Sequence, residues 1–388
     1  MSASIDKAVQ PIVLSFARRK IPCTALLPSW KTPRHQSYII HRLEDILTIV
    51  MCAVLCGMDT LGAIMSFAKN RADFLKTHFG IEQIPSKPTL SRILSMVDGN
   101  ALGKIILSHM QERCGKKGDV IAVDGKAIRS TGKEYTHRVL QILTAYLTEQ
   151  GVVLGQEKID QKSNEIPAFQ QMLTYLNIKD KFLTADAMHC QRETCALIVK
   201  KRGDYVFGLK ENQKSLWEDV ALFFTELPFD TGIETYETCE KNGGRKEVRI
   251  CKKADAAWLK KRHNWPGLKS ILAVERIVES RKKKTREVSY YISSSQASAK
   301  KQLAVVREHW MIESLHWLRD VVFSEVECRF SSDNAHLTLN SFRKYALALH
   351  KSYMATLPKK GTIKDSLRDC MFNENLLLKV LAHSAFTL

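Results

Sequence analysis

The first strong pattern in the chain is apolar. From Leu43 to Lys69 the stretch LEDILTIVMCAVLCGMDTLGAIMSFAK carries apolar residues at helical spacing, interrupted near Gly57, and predicts two helices. The run from Ile46 to Met58 is stopped by Asp59, short of the roughly 20 residues that a bilayer requires, and is expected to be a buried helix. Two further helical patterns follow, RADFLKTHFG and TLSRILSMVDG, and together these predict an all-α N-terminal domain ending near Cys114. Ser86 and Thr89, around Pro88, can cap a short helix carrying Leu90, Arg92, Ile93 and Leu94. Such a helix after a Pro-containing turn can read a DNA groove, as in helix-turn-helix modules, or can simply pack.

The texture changes after the GKKGD turn at Gly115 to Asp119. Short runs rich in β-formers, DVIAVDG, RVLQILTAYLT and VVLGQEKI, precede a helical segment NEIPAFQQMLTYLN, a run KFLTADA, a helix over Gln191 to Lys201 and a run DYVFGLK. Strands followed by alternating helix and strand predict a mixed α/β sheet. VIAV and FLTA are continuous rather than alternating, which places them as central strands covered on both faces. Between Glu211 and Ser295 a Gly243-Gly244 turn and the runs ILAVERIV and VSYYISS predict a β-rich insertion with exposed basic loops.

Charge sharpens the picture. The 388 residues hold 59 Lys and Arg against 41 Asp and Glu, a net charge of +18 spread along most of the chain. A polyanionic partner accounts for this excess, although a generally basic protein would share it. The clusters KKRH (Lys260 to His263) and RKKKTR (Arg281 to Arg286) are either solvated tips or contacts to a nucleic-acid backbone. Ten cysteines are scattered without a Cys-x-x-Cys pair, and the N-terminal apolar stretch is too short and too interrupted for a secretory signal. Both features point to a cytoplasmic protein with reduced thiols and no membrane partner.

Three acids carry the candidate chemistry: Asp124 after IAV, Asp186 after FLTA, and Glu313 in REHWMIESLHWLRD. Each aspartate is expected where a strand stops, a position at which ligand-binding groups gather. Taken singly, each is equally a turn or cap residue. The third segment can be drawn as one helix on which His309, Glu313, His316 and Asp320 share a face at spacings of four, three and four. Beside them Val306, Trp310, Trp317 and Val321 form an apolar stripe expected to pin the helix to a core. Three carboxylates suit hard divalent cations, which activate an attacking oxygen and stabilise a leaving one in phosphodiester chemistry. A zinc site built from His309, Glu313 and His316 is the alternative.

The motifs IAVDGKAIRS, LGQEKIDQKSNEIPA, TADAMHCQRE, DYVFGLKENQ, LKSILAVER, YYISS and HWMIESLHWLRDVVF, in that order, resemble the bacterial insertion-sequence transposases that include the H-repeat-associated proteins. The resemblance covers nearly the whole chain. It implies a DDE transposase whose RNase H-like mixed α/β core binds magnesium through Asp124, Asp186 and Glu313, with two ions per site and manganese as substitute. It further implies an N-terminal arm (1–30), a helical DNA-binding domain (31–115) and a catalytic domain (116–388) carrying the β-rich insertion over about 211–295. The partners would be double-stranded DNA, as element terminal repeats and target, and further copies of the chain. A bacterial cytoplasmic protein associated with the nucleoid when bound to DNA is expected. Lys126, Arg129, Lys210, Asn212, Gln213 and Arg245 are candidates to hold phosphates or flanking bases, with His309, His316 and Asp320 in support. The chain departs from the family pattern at Glu211, where many relatives have Gly, at Gly243, which stands for a His, and at Val326, where an Asp is usual. These departures motivate a rival reading, a DNA-binding relic or repressor that no longer cuts, and a metal-dependent nuclease without strand transfer is a third possibility.

Overall fold

A computed structural model of the chain describes residues 40–113, 118–128, 139–160, 164–226, 232–280, 283–327, 330, 332–358 and 361–383. The proposed arm and Arg129 lie outside these residues. Five helices come first: α1 (Leu43–Leu55), α2 (Leu61–Asn70), α3 (Ala72–Phe79), α4 (Lys87–Met96) and α5 (Gly99–Arg113). Helix α1 is apolar on all sides and buried along nearly its whole length, as a helix surrounded by others must be. Its end is set by Gly57, whose φ of 72° lets the Gly57 and Met58 amides turn back onto the carbonyls of Val54 and Ala53. Thr60 caps α2 through the amide of Ala63, and Ser86 caps α4 through the amide of Thr89.

A nine-stranded sheet follows in the order β3-β2-β1-β4-β5-β9-β8-β7-β6. Its strands are β1 (Val120–Ile128), β2 (Leu140–Leu147), β3 (Val152–Ile159), β4 (Phe182–Ala185), β5 (Asp204–Leu209), β6 (Glu234–Asn242), β7 (Arg245–Asp255), β8 (Ser270–Glu279) and β9 (Lys284–Ser293). The β1–β4 and β4–β5 pairs are parallel and the others antiparallel. VIAV and FLTA are indeed central and buried. The 211–295 segment opens with a helix, α8 (Lys214–Glu226), and its four strands extend the main sheet from β5 through β9. Gly243 and Gly244 take φ of 56° and 81°, the two positive values that a two-residue hairpin turn between β6 and β7 requires.

The remaining helices are α6 (Glu165–Tyr175), α7 (Arg192–Lys200), α9 (Lys260–His263), α10 (Ala299–His309), α11 (Met311–Val321), α12 (Asp333–Ala355), α13 (Ile363–Phe372) and α14 (Glu374–Ala382). The single helix drawn through Glu313 is therefore two, α10 and α11, parted at Trp310. There the Trp310 and Glu313 amides bond three residues back, to Arg307 and Trp310, in place of the four-residue ladder. The 23-residue α12 is buried along most of its length and packs on α1, α4 and α5, while α5 also packs on β3. The N-terminal helices thus share one apolar core with the sheet and the C-terminal helices.

Candidate active site

Parallel pairing between β1 and β4 ends at Val123↔Ala185. The next residues are Asp124 and Asp186, so both carboxylates stand where the sheet opens between its two central strands. β1 does not stop there as the sequence suggested: it runs on to Ile128 by pairing with β2, with Asp124 opposite Thr144. Asp186 follows β4 at the head of a tight turn over Ala187–His189, yet its side chain caps nothing. Asp186 is thus a turn residue, as the alternative reading had it, but its side chain does not serve as the cap.

Two histidines reach the aspartates from α10 and α11. His309 Nε2 stands 3.4 Å from Asp186 Oδ1, and His316 Nδ1 stands 3.4 Å from Asp124 Oδ2. The Gly125 amide donates to Asp124 Oδ1 at 2.8 Å. Burial, together with the neighbouring Asp186 charge, pushes the Asp124 carboxyl up to about 6. Donation from His309 holds Asp186 below its ordinary value, with Lys210 and His189 adding to the effect. Burial and the Arg319, Lys126 and Lys344 charges push His316 down to about 3, so it meets Asp124 as a neutral imidazole at physiological pH. The two aspartates therefore shift in opposite directions, Asp124 raised chiefly by burial and Asp186 lowered chiefly by His309.

Glu313 lies in the first turn of α11, exposed, between the two histidines in sequence. Among the described residues no three His, Cys, Asp or Glu side chains are drawn close enough to hold a metal ion, which applies alike to Asp124, Asp186 and Glu313 and to the zinc alternative of His309, Glu313 and His316. The expected apolar stripe is also different. Val306 is buried, but Trp310, Trp317 and Val321 are 60%, 59% and 51% exposed, and α11 is seated instead by Ile312, Leu315 and the aliphatic part of Arg319. A one-residue break at Trp310 rotates the two halves, so spacing counted across it does not give one face.

Behind the opening lies a buried charge network that pairwise sequence spacing does not reveal. Lys126, two residues past Asp124 and on the same face of β1, pairs with Asp320, donates to the His316 carbonyl at 3.2 Å and lies 3.1 Å from Glu325 Oε2. Glu325 Oε1 accepts from Arg319 and Asn340, each at 2.8 Å, with Arg343 at 3.7 Å. Arg343 in turn bonds Asp59 at 2.7 Å, between α1 and α2. Lys344 donates to Thr144 and Gln156 at 3.1 and 2.9 Å, directly beneath the strand pair that carries Asp124.

Residues 115–349 match the model of the transposase DDE domain, and residues 26–110 match that of the DDE_Tnp_1-associated region. The chain belongs to the DDE transposase family. It is 34% identical over 360 residues to “Putative transposase YncI” of Escherichia coli O157:H7, covering 90% of this chain and 91% of that one. It is 33% identical over 365 residues to the “H repeat-associated putative transposase YhhI” of Escherichia coli strain K12, covering 89% and 94%. Among solved structures, the piggyBac transposase synaptic complex with hairpin DNA aligns over 95% of this chain at a TM-score of 0.44 and 8% identity, a likeness too slight to carry argument.

Membership of this family implies dependence on divalent metal. Asp124 and Asp186 fit that role: they are hard oxygen donors, and Asp124 is a half-buried carboxylate raised first by burial and then by the charge of Asp186, which a cation would offset. The other sequence candidates divide. Lys210 is exposed and lines, with Asp186, Ala187, Met188, Glu211, Asn212 and Trp217, a cleft of about 560 Å³. Asn212 donates to the Ala187 carbonyl at 2.8 Å and Gln213 to that of Cys190 at 3.0 Å, so their amides brace the turn that carries Asp186. Lys126 is buried in the network, and Arg245 pairs with Glu247 at 3.3 Å beside the hairpin turn. Asp320 serves as a partner of Lys126.

Proposed function

We propose that this chain binds the terminal repeats of its own element as double-stranded DNA and performs metal-dependent strand cleavage and strand transfer. The observation that carries the reading is the opening of the sheet beyond Val123↔Ala185, which brings Asp124 and Asp186 to one place with a histidine behind each. In this reading the core is RNase H-like, Asp124, Asp186 and Glu313 hold two magnesium ions, and manganese can replace them. Bound there, the metal supplies activation of water or a DNA 3′-hydroxyl and stabilisation of the departing oxygen. His309 and His316 hold the two aspartates, and Asn212 and Gln213 fix the turn that aims Asp186. Lys126 ties β1 to α11, and Lys210 meets phosphate in the cleft. The segment 31–115 supplies element-end recognition, and further copies of the chain pair two ends in the bacterial cytoplasm at the nucleoid.

The relic reading has support of its own. Glu313 is exposed, and Glu211 puts a negative charge in the cleft beside Asp186. One experiment separates the readings: the protein is incubated with DNA carrying its flanking repeats and magnesium, beside Asp186→Ala. New ends and joined products that vanish in the variant support the transposase. Binding without cleavage by either protein moves the assignment to the relic, and nicking without joining moves it to a nuclease.

A further inference from the structure

Helix α6 brings a fourth carboxylate to the opening from the other face of the sheet. Side chains alternate along a strand, so Asp124 faces α11 while the next residue, Gly125, faces α6. Glu165, the first residue of α6, lies so close that a Cβ on Gly125 would stand 2.1 Å from Glu165 Oε1 and 2.7 Å from Oε2. Asn164 fixes the start of the helix by accepting from the Ile166 amide at 3.1 Å, and this sets where Glu165 projects. The glycine is the space in which that carboxylate sits.

Glu165 is also tied to the second aspartate. Its Oε2 lies 3.1 Å from Nε2 of His189, which closes the turn begun by Asp186 with an amide donation to the Asp186 carbonyl at 2.9 Å. His189 is 1% exposed and packs edge-on against Phe169, with centroids 5.2 Å apart, and its Nδ1 has no partner among the described residues. A fully buried imidazole has thus been aimed at one carboxylate, which is how residues behind a metal site orient an acidic ligand. Glu165 adds to the charge felt by Asp124, and among the described residues Glu165, Asp186 and Asp124 have His189, His309 and His316 as their respective ion-pair partners.

We propose that Glu165 is a further acidic residue of the divalent-cation site, oriented by His189, and that it acts by raising cation affinity. The inference rests on the reading of Asp124 and Asp186 as cation-holding groups. It is tested on the full-length chain by Mn2+ binding, read from the loss of the free Mn2+ resonance on titration and so independent of DNA cleavage. Wild type is measured beside Glu165→Gln and Asp186→Asn. The expected result is a Kd raised about 10- to 100-fold in Glu165→Gln, with the metal-free unfolding midpoint unchanged or higher because a like charge has been removed. Should Glu165→Gln not fold, Glu165→Asp keeps the charge and withdraws it by one methylene, and weaker Mn2+ binding is expected there too. Wild-type affinity in the Glu165 variant beside lost binding in Asp186→Asn overturns the assignment of Glu165 alone. Equal binding, or none, in all three proteins overturns the reading of the aspartates as well.

Discussion

Glu325 is the residue on which the architecture behind the site converges, and replacing it by Gln is a stringent test of that view. Its side chain is 1% exposed and faces Arg319, Arg343 and Lys126, with Asn340 as a fourth donor. Burial alone would raise this carboxyl, but the three cations hold it far below its ordinary range. Glu325→Gln keeps the shape and deletes the charge. Arg319 and Arg343, 0% and 1% exposed, then confront a neutral amide, with Asp59 left to Arg343, while Lys126 keeps Asp320, which is 39% exposed, and the His316 carbonyl. Removing one partner of a buried ionic group costs about 3–5 kcal/mol, because the cost is set by the charges left behind.

The assay is urea unfolding of the full chain followed by tryptophan fluorescence, to which Trp310 and Trp317 beside α11 contribute. With a slope of roughly 3 kcal/mol/M the midpoint should fall by about 1 M or more. A double-mutant cycle with Lys126→Met should recover about 1–3 kcal/mol of coupling, since the second change removes one stranded cation. A Glu325→Gln protein within about 0.5 kcal/mol of wild type, or strict additivity with Lys126→Met, would refute the claim that this carboxylate holds β1, α11 and α12 together.

Other consequences are independent of that network. Asp124 is raised to about 6, so in metal-free protein its ionisation opposes folding above that pH; Asp124→Asn should stabilise the EDTA-treated chain at pH 8 by about 1–3 kcal/mol while abolishing Mn2+ binding, and destabilisation there would contradict the electrostatic account. His350 is pushed down to about 4 by burial between Ser366 and the Leu55 carbonyl. A histidine lowered on folding contributes in full above pH 6.5 and loses that contribution as pH falls from 6.5 towards 4, so wild type should lose up to about 3 kcal/mol more than His350→Gln across this window, measured by denaturation at each pH. Gly125→Ala forces the Glu165 carboxylate away and should cost about 1–3 kcal/mol, read from the thermal midpoint. Binding to repeat DNA should weaken steeply with salt if the exposed Lys260, Lys261 and Lys284 meet the backbone, and a flat salt response would remove the nucleic-acid role of these loops.

What the sequence showed well was the identity of the two strands that matter, since a run such as VIAV or FLTA is unbroken only where both faces of a strand are covered. It also showed the two aspartates, which follow those runs directly. It misplaced the end of β1, because Gly125 resembled a turn when its real constraint is the Glu165 carboxylate, 40 positions away in sequence and invisible to any local pattern. It drew α10 and α11 as one helix, because helical periodicity continues through Trp310 and nothing local marks the break. The tryptophans were assigned to a core by their size, although size gives no information on which side of a helix meets the protein. Glu165 itself lay within the quoted NEIPA motif, and its N-terminal position on a helix after β3 was the one available signal of a role.

The long-range network explains how such a site can persist in a fold. Asp124 is raised chiefly by burial and then by the neighbouring Asp186 charge, which is a cost to the metal-free fold. The compensating attraction lies one layer back, where Lys126 on β1 and Arg319 on α11 are joined through Glu325, and where Arg343 extends the link from α12 to Asp59 beside α1. None of these groups need touch a metal or DNA to govern the site, because they determine how far α11, with His316 and Glu313, stands from Asp124. Glu325 and Asp59 anchor the cations of that rear layer, whereas the acids of the front layer have mainly histidines to face. The fold thereby pairs its rear-layer cations with Glu325 and Asp59 and leaves histidines as the ion-pair partners of Asp124 and Asp186, so the costly buried pairing is kept away from the opening.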